Sequence, residues 1–202
     1  MAYASAAELF LTVEPESIAV NVTPGGANSQ VLTLTNNTTD KLLVEIGAAE
    51  IAPNYPYSIF DNFTVELRTP TQVEIEARCS ARPVVIIRSP RDIKPGGYYG
   101  QMMLTTTNEN GELVSQQAVP IAAVVGQDFE YAAEIQSAAV TSTAWEESDN
   151  TWMLSLVVQN LGNIHIEPVG TVYLKNTQGE IIRTLRTELQ EGAQAILPGQ
   201  TG

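Results

Sequence analysis

Apolar and polar residues alternate in short runs along most of this chain, and turn-forming residues close the runs. Successive side chains of a strand point to opposite faces, so alternation predicts strands with one face on a core and one in water. Two runs read alike. Val31-Leu32-Thr33-Leu34-Thr35-Asn36-Asn37 and Leu154-Ser155-Leu156-Val157-Val158-Gln159-Asn160 both alternate and end on asparagine. Asn36 and Asn160 are about 124 positions apart, roughly one sandwich domain of spacing. An asparagine suits a strand end, because its side chain bonds nearby backbone and tolerates left-handed dihedrals. The repeat predicts two related β-domains in tandem.

Residues 9–22 read as extended and broken at Pro15, and Pro24-Gly25-Gly26 is a turn. Leu32 and Leu34 are expected inward, Thr33 and Thr35 outward. In the strand over 41–51, Leu42, Val44 and Ile46 share the inner face and Glu45 lies opposite. Residues 52–63, rich in proline and aromatics, read as a long loop. Short strands are expected over 63–67, 72–77 and 84–87, then a long pair over 98–107 and 112–125. The pair is joined by Asn108-Glu109-Asn110-Gly111, with Asn-Gly the source of positive φ, and a bend is expected at Pro120. Gly126-Gln127-Asp128 is a boundary too short for free swivelling. Beyond it come strands over 129–143, 151–160, 170–175 and 180–189, with an acidic turn at 146–150 and another turn at 177–179. Trp152, Leu154, Leu156 and Val158 share a face.

No long segment has helical periodicity, so the fold class is all-β: two tandem immunoglobulin-like antiparallel β-sandwiches, residues 7–126 and 128–202. The second spans about 75 residues against about 100 for seven strands. It is expected to be short of a full strand set: either the sequence is cut from a longer protein, or another chain supplies the missing strand, an unpaired edge beside an open groove being a site for strand addition.

Asp92-Ile93-Lys94-Pro95-Gly96-Gly97-Tyr98-Tyr99-Gly100 is the most specific local feature. Pro presets φ and Gly supplies positive φ in the turn. Tyr98 alternates with Met102 and Leu104 and is expected inward, as a tyrosine corner whose hydroxyl bonds upstream backbone. Tyr99 alternates with Gln101 and is expected outward.

Composition narrows the functions. The 202 residues are 44% apolar, which suffices for real cores, and the net charge is −13. That charge argues against nucleic acid and acidic lipid as partners. No run of about 18 apolar residues exists to span a bilayer. Cys79 is the single cysteine, so no internal disulfide forms, and the compartment stays open on that count. Ala4-Ser5-Ala6 before Ala7-Glu8 has the small-x-small pattern that signal peptidase accepts. It is read as the tail of a removed export signal, the alternative being a chance run of small residues.

Catalytic chemistry is hard to assemble. His165, the single histidine, sits between two isoleucines, and a triad would have to use it. Cys79 beside Arg78 lacks an evident base. Glu66, Glu74 and Glu76 read as solvated strand faces, and no Asp-x-Asp cluster suggests a calcium loop. No catalytic residue, metal or cofactor is expected. The candidate ligand-binding residues are Tyr55, Tyr57 and Phe60 of the aromatic loop, together with Tyr99, since aromatic faces stack on sugar rings. The alternative is that this loop, with Phe63, folds down as a cap on the sandwich core. Asn21, Asn37 and Asn62 head glycosylation-type triplets that also arise by accident. Leu197-Pro198-Gly199-Gln200-Thr201-Gly202 has one residue too many for a sorting signal and reads as a turn.

Val85-Ile86-Ile87, the run Pro90 to Gly100 and the Pro24-Gly25 turn before Leu32-Thr33-Leu34-Thr35-Asn36 resemble the first domain of the WxL-interacting cell-surface proteins. Asn160 to Gly170, Gly179 and Leu197-Pro198-Gly199 resemble the sandwich downstream of it. The resemblance implies an exported, non-enzymatic envelope protein whose first domain associates with peptidoglycan and whose second binds a surface protein. Membrane contact is implied only through a segment this chain lacks. A second, lower-ranked resemblance is to the two-domain periplasmic pilus chaperones. Those hold a subunit's terminal carboxylate with basic residues, and no Lys or Arg precedes Lys41 here. The alternative function is a subunit of an extracellular fibre, in which the arm over residues 7–22 completes the second domain of the next copy.

Overall fold

The computed structural model describes residues 10–68, 70–142, 152–187 and 195–202. The expected signal tail and the acidic turn at 146–150 lie outside the described residues, as does the side chain of Trp152. The chain divides into two compact units, Met1–Asp128 and Phe129–Gly202.

The strands of the first unit are β1 (Leu11–Glu14), β2 (Ile18–Val22), β3 (Ala27–Val31), β4 (Thr33–Asn36) and β5 (Leu42–Ala49). A one-turn helix α1 (Ile59–Asn62) follows, then β6 (Thr64–Leu67), β7 (Gln72–Ile75), β8 (Ser80–Ala81), β9 (Val84–Arg88), β10 (Gly96–Asn108) and β11 (Leu113–Val125). One layer has the order β2-β11-β10-β5-β7. The other is made of β1-β4-β8 and β3-β9-β6. These two ladders run on into one another, since the Leu32 amide at the break donates to the Pro83 carbonyl at 3.0 Å. Alternation positions both layers: Leu32, Leu34, Val44, Val85, Ile87, Leu104 and Ala123 are all 0% exposed. Burying one such leucine or isoleucine contributes about 1.5–3 kcal/mol.

One expectation changes. Residues 11–22 are not a free arm. Leu11 and Val13 are buried in one layer, and Ile18, Val20 and Val22 in the other. The chain crosses between layers around a cis Glu14–Pro15 bond, and β2 then runs parallel to β11. Donating this segment to another copy would strip the first core of five buried side chains. Pro120, where a bend is expected, lies within a continuous strand: β11 holds register with β10 from Gly96↔Val125 to Thr106↔Ser115. Pro120 lies just beyond Ile121, the last β11 residue that β2 covers, so the missing N–H falls where the ladder has one neighbour.

The second unit holds β12 (Ala133–Ser142), β13 (Trp152–Asn160), β14 (Gly170–Lys175) and β15 (Ile181–Thr187). β12 pairs with β13 and β14 with β15, both antiparallel. Its most buried described residues surround Asn160, with Ile164 and Ile196 at 6%.

The asparagine repeat is a repeat of bonding. Asn36 is 1% exposed, and its Nδ2 donates to the carbonyls of Asp40 (2.7 Å), Ile75 (3.1 Å) and Glu76 (3.2 Å). Its Oδ1 accepts from the Thr38 amide at 2.8 Å. Asn160, 0% exposed, does the same: Nδ2 donates to Ile164 (2.7 Å) and Ile196 (2.8 Å), and Oδ1 accepts from the Gly162 amide (2.9 Å). The backbone agrees. The Asn36 amide donates to Cys79 and the Asn160 amide to Gln200. One residue earlier in each turn, Arg78 and Gly199 hold φ of 58° and 75°. The six-residue run at 197–202 is thus a turn paired to β13, with Thr201 bridged to Gln159.

The two hairpin loops also share a device. Asn108 Oδ1 accepts from the amides of Asn110 and Glu112, and Asn176 Oδ1 from those of Gln178 and Glu180. Positive φ falls on Gly111 and Gly179, and not on the asparagine of the expected Asn-Gly pair.

Leaving buried carbonyls without donors costs about 1–3 kcal/mol per group. Asn36→Leu is therefore expected to destabilise the first unit by about 3 kcal/mol, read as a lowered urea midpoint at unchanged slope.

Candidate functional site

The aromatic segment, the expected binding loop, is packed onto the molecule. β5 pairs with β10 only from Gln101 to Asn108. Past that end the loop takes the vacated place: Ser58 bridges Tyr99 in parallel, and the Tyr99 amide donates to the Tyr57 carbonyl at 2.8 Å. α1 then presses on β10 at Gly100, where a Cβ would lie 2.6 Å from Phe60 Cε2 and 2.5 Å from Ile59 Cγ2. Only a glycine admits that approach. Asn62 ties the loop to itself by donating to the carbonyls of Ser58 (2.8 Å) and Pro56 (3.2 Å).

Tyr98 points inward at 5% exposure, and its hydroxyl donates to the Lys94 carbonyl at 3.0 Å, four residues upstream. Phe63 meets it edge-on with centroids 5.1 Å apart, and Tyr57 lies 6.3 Å from it. Tyr99, expected outward, is also 5% exposed. The alternation of the strand is intact. The loop covers what would have been its outer side, and the Tyr99 hydroxyl lies over Gly97, which has no Cβ to obstruct it. Tyr55 is 7% exposed and stacks obliquely with Tyr57 at 5.9 Å. Of the four candidate ligand-binding residues, Tyr55 and Tyr99 are buried, and Tyr57 and Phe60 keep part of their surface open. The capping role dominates, because each apolar ring on the loop gains more by joining the adjacent core than by facing water.

Burial raises the Tyr55 hydroxyl well above its ordinary range, with Tyr99 and Tyr57 adding to the effect. Burial raises Tyr98 as well, with Tyr57 second. His165 is half-buried between Ile164 and Ile166, and Cys79 is exposed and free. Among the described residues no group of three or more His, Cys, Asp or Glu could hold a metal ion.

A different feature of the first unit is open. β2 covers β11 only over Ile121–Val125. From Leu113 to Val119, β11 has β10 on one side and no strand on the other among the described residues. Beside that edge lies a groove of about 450 Å3 lined by Thr12, Val13, Glu16, Gln117, Ala118 and Val119. Gln117 Nε2 donates across to the Leu11 carbonyl at 2.9 Å, which holds the two layers at the mouth of the groove. Leu113 is 63% exposed at the start of the edge. Sequence alternation marks β11 as a strand, but which of its edges is covered depends on how far β2 extends.

No protein-family model matches the chain, and no curated protein sequence matches it. Solved structures do. The class 5 fimbriae chaperone CfaA is similar with a TM-score of 0.52 at 14% identity, over 95% of this chain and 84% of that one. The YadV chaperone gives 0.51 at 10% identity over 96% and 83%. The E. coli chaperone DraB gives 0.50 at 12% identity over 95% and 82%. At such identities the likeness establishes the fold, an all-β immunoglobulin-like one.

The buried phenols make a pH prediction. Their folded-state pKa values lie above the unfolded value of about 10, so the unfolded chain loses protons first as pH rises. Their share of stability is complete below about pH 10 and is lost above it. Urea midpoints are expected to hold from about pH 7 to 9 and to fall by pH 11, with a smaller fall for Tyr55→Phe.

Proposed function

We propose that this protein is an exported, non-enzymatic binding module of the bacterial cell envelope, and that it takes a protein partner by strand addition along the outer edge of β11. The observation that carries the reading is the one-sided pairing of Leu113–Val119, among the described residues, next to a groove with both polar and apolar walls. An unpaired edge offers main-chain donors and acceptors to an extended segment, and alternate side chains of that segment fill the groove. The likeness to fimbrial chaperones supports a partner of the pilus or surface-fibre kind. One neighbour, with a TM-score of 0.52 at 13% identity, is described as part of a chaperone-tip adhesin complex. The resemblance to the WxL-interacting proteins supports the same compartment and a non-catalytic role.

A protein partner is preferred to peptidoglycan on the aromatic residues. Stacking on sugars needs exposed ring faces, and Tyr55 and Tyr99 have lost theirs. Tyr57 and Phe60 remain as a reduced platform. The fibre alternative, in the form of donation by residues 7–22, conflicts with the burial of Leu11, Val13, Ile18, Val20 and Val22 in their own core.

The edge chemistry sets the experiment. Pro120 has no N–H to give the β10 ladder, which suits a nitrogen facing the outer edge. By strand alternation Gln116 and Ala118 share that direction. Immobilised protein is expected to retain an envelope protein from its source organism. The exposed-site variant Ala118→Pro should reduce capture about tenfold with little change in thermal midpoint, and Leu113→Asp should reduce it as well. Equal capture by both variants, or retention by purified cell wall alone, contradicts the proposal.

A further inference from the structure

The hairpin loops of the two units are built alike, bond for bond. In the first, Asn108 Oδ1 accepts from the amides of Asn110 (3.0 Å) and Glu112 (2.9 Å), and Asn108 Nδ2 donates to Glu112 Oε2 at 2.8 Å. In the second, Asn176 Oδ1 accepts from the amides of Gln178 (3.0 Å) and Glu180 (2.9 Å), and Asn176 Nδ2 donates to Glu180 Oε2 at 2.9 Å. The glycine amide of each loop, Gly111 or Gly179, donates to the carbonyl of that asparagine at 3.0 Å. The two glycines hold φ of 79° and 85°.

The residue before the glycine differs in its chemistry: Asn110 in the first loop, Gln178 in the second. Gln178 shows that such a loop closes without an asparagine there. Asn110 is also the one asparagine of the sequence that glycine follows. It is exposed, and the loop bonds it through its backbone nitrogen, leaving its side-chain amide without a partner among the described residues. No atom lies within 4 Å of where a Cβ on Gly111 would stand, so that side of the glycine is open. Asn36, Asn108 and Asn160, by contrast, have both Nδ2 and Oδ1 bonded.

We infer that Asn110 is a site of spontaneous covalent modification with water as co-reactant: deamidation to isoaspartate through a cyclic imide formed with Gly111. The Gly111 nitrogen bonds to Asn110 Cγ, and the Cγ–Nδ2 bond breaks. Nδ2 leaves as ammonia, taking the proton that the Gly111 nitrogen gives up. Water then opens the imide, its hydroxyl going to a carbonyl carbon and its proton to the nitrogen. Opening at the main-chain carbonyl leaves the chain running through Cγ, one methylene longer, with a new carboxylate. The attack is intramolecular, and glycine lacks the Cβ that would hinder it. The bond it must release, from the Gly111 amide to Asn108, lies at an exposed loop tip, where local opening costs least. The same attack on Gln178 needs a larger ring and is slower. A longer backbone cannot keep both amides on Asn108 Oδ1 and the Gly111 turn together, so the hairpin end of β10 and β11 loosens. The new charge falls between Glu109 and Glu112.

The test incubates the whole chain for weeks at physiological temperature and neutral pH. Peptide mass spectrometry follows the replacement of NH2 by OH, and enzymatic methylation specific for isoaspartate separates that product from aspartate. Modification at Asn110 should outpace that at Gln178 about tenfold or more. Asn110→Gln, which copies the second loop, should leave this hairpin unmodified over the same period at an unchanged thermal midpoint. In the modified protein the Asn108 amide, which donates to the Glu112 carbonyl at 3.0 Å, should exchange its hydrogen about tenfold faster. The Asn176 amide, bonded to Glu180 at 2.9 Å, should keep its rate. The inference is overturned if Asn110 stays unmodified, if aspartate is the sole product, or if the Asn108 amide of the modified chain exchanges at its original rate.

Discussion

A single buried amide organises the first unit, and a second copy of it organises the second. Asn36 sits at the end of a strand with its side chain sealed from water, joining three carbonyls from two separate turns. A buried amide without partners costs several kcal/mol, so the site is stable only when both turns are in place around it. The bond is thereby a constraint on topology. It holds the start of β5, the end of β7 and the turn into β8 at one point, and β4 receives Cys79 there through its backbone. Asn160 imposes the same meeting of segments around Ile164, Ile196 and Gln200.

With that point fixed, covered and open edges follow from strand length. β2 is five residues long and covers the last five residues of a thirteen-residue β11. The remainder is left as an edge, with Gln117 holding the groove beside it. Recognition by main-chain pairing suits such a protein. The described residues offer open edges and grooves, and their titratable groups are mostly dispersed along strand faces.

Much of the first sandwich was legible in the chain. Leu32, Leu34, Leu42, Val44 and Ile46 alternate over regular strands, and period-2 burial needs no tertiary information. The Tyr98 corner was legible because a Pro-Gly-Gly turn and inward parity fall together. The likeness of Asn36 and Asn160 was visible as a strand-end pattern, yet their function as bonding centres was not. Their partners at Ile75, Glu76 and Ile196 lie some 36 to 40 residues away, and local sequence carries no sign of them. Tyr99 fails for the same reason. Parity places it on the outer side of β10, and a loop from more than 40 positions earlier covers it. The open edge of β11 was illegible because alternation identifies a strand and says nothing of its neighbours. The parallel pairing of β2 was hidden likewise, since Ile18, Val20 and Val22 alternate equally well in a free arm.

The most direct measurement is the exchange rate of the side-chain amide protons of Asn36 and Asn160 in solution by NMR. If both units are built around these groups, their Nδ2 protons persist through exchange that removes the amide protons of exposed Asn110 at once. Exchange of Asn36 or Asn160 as fast as that of Asn110 would contradict the account.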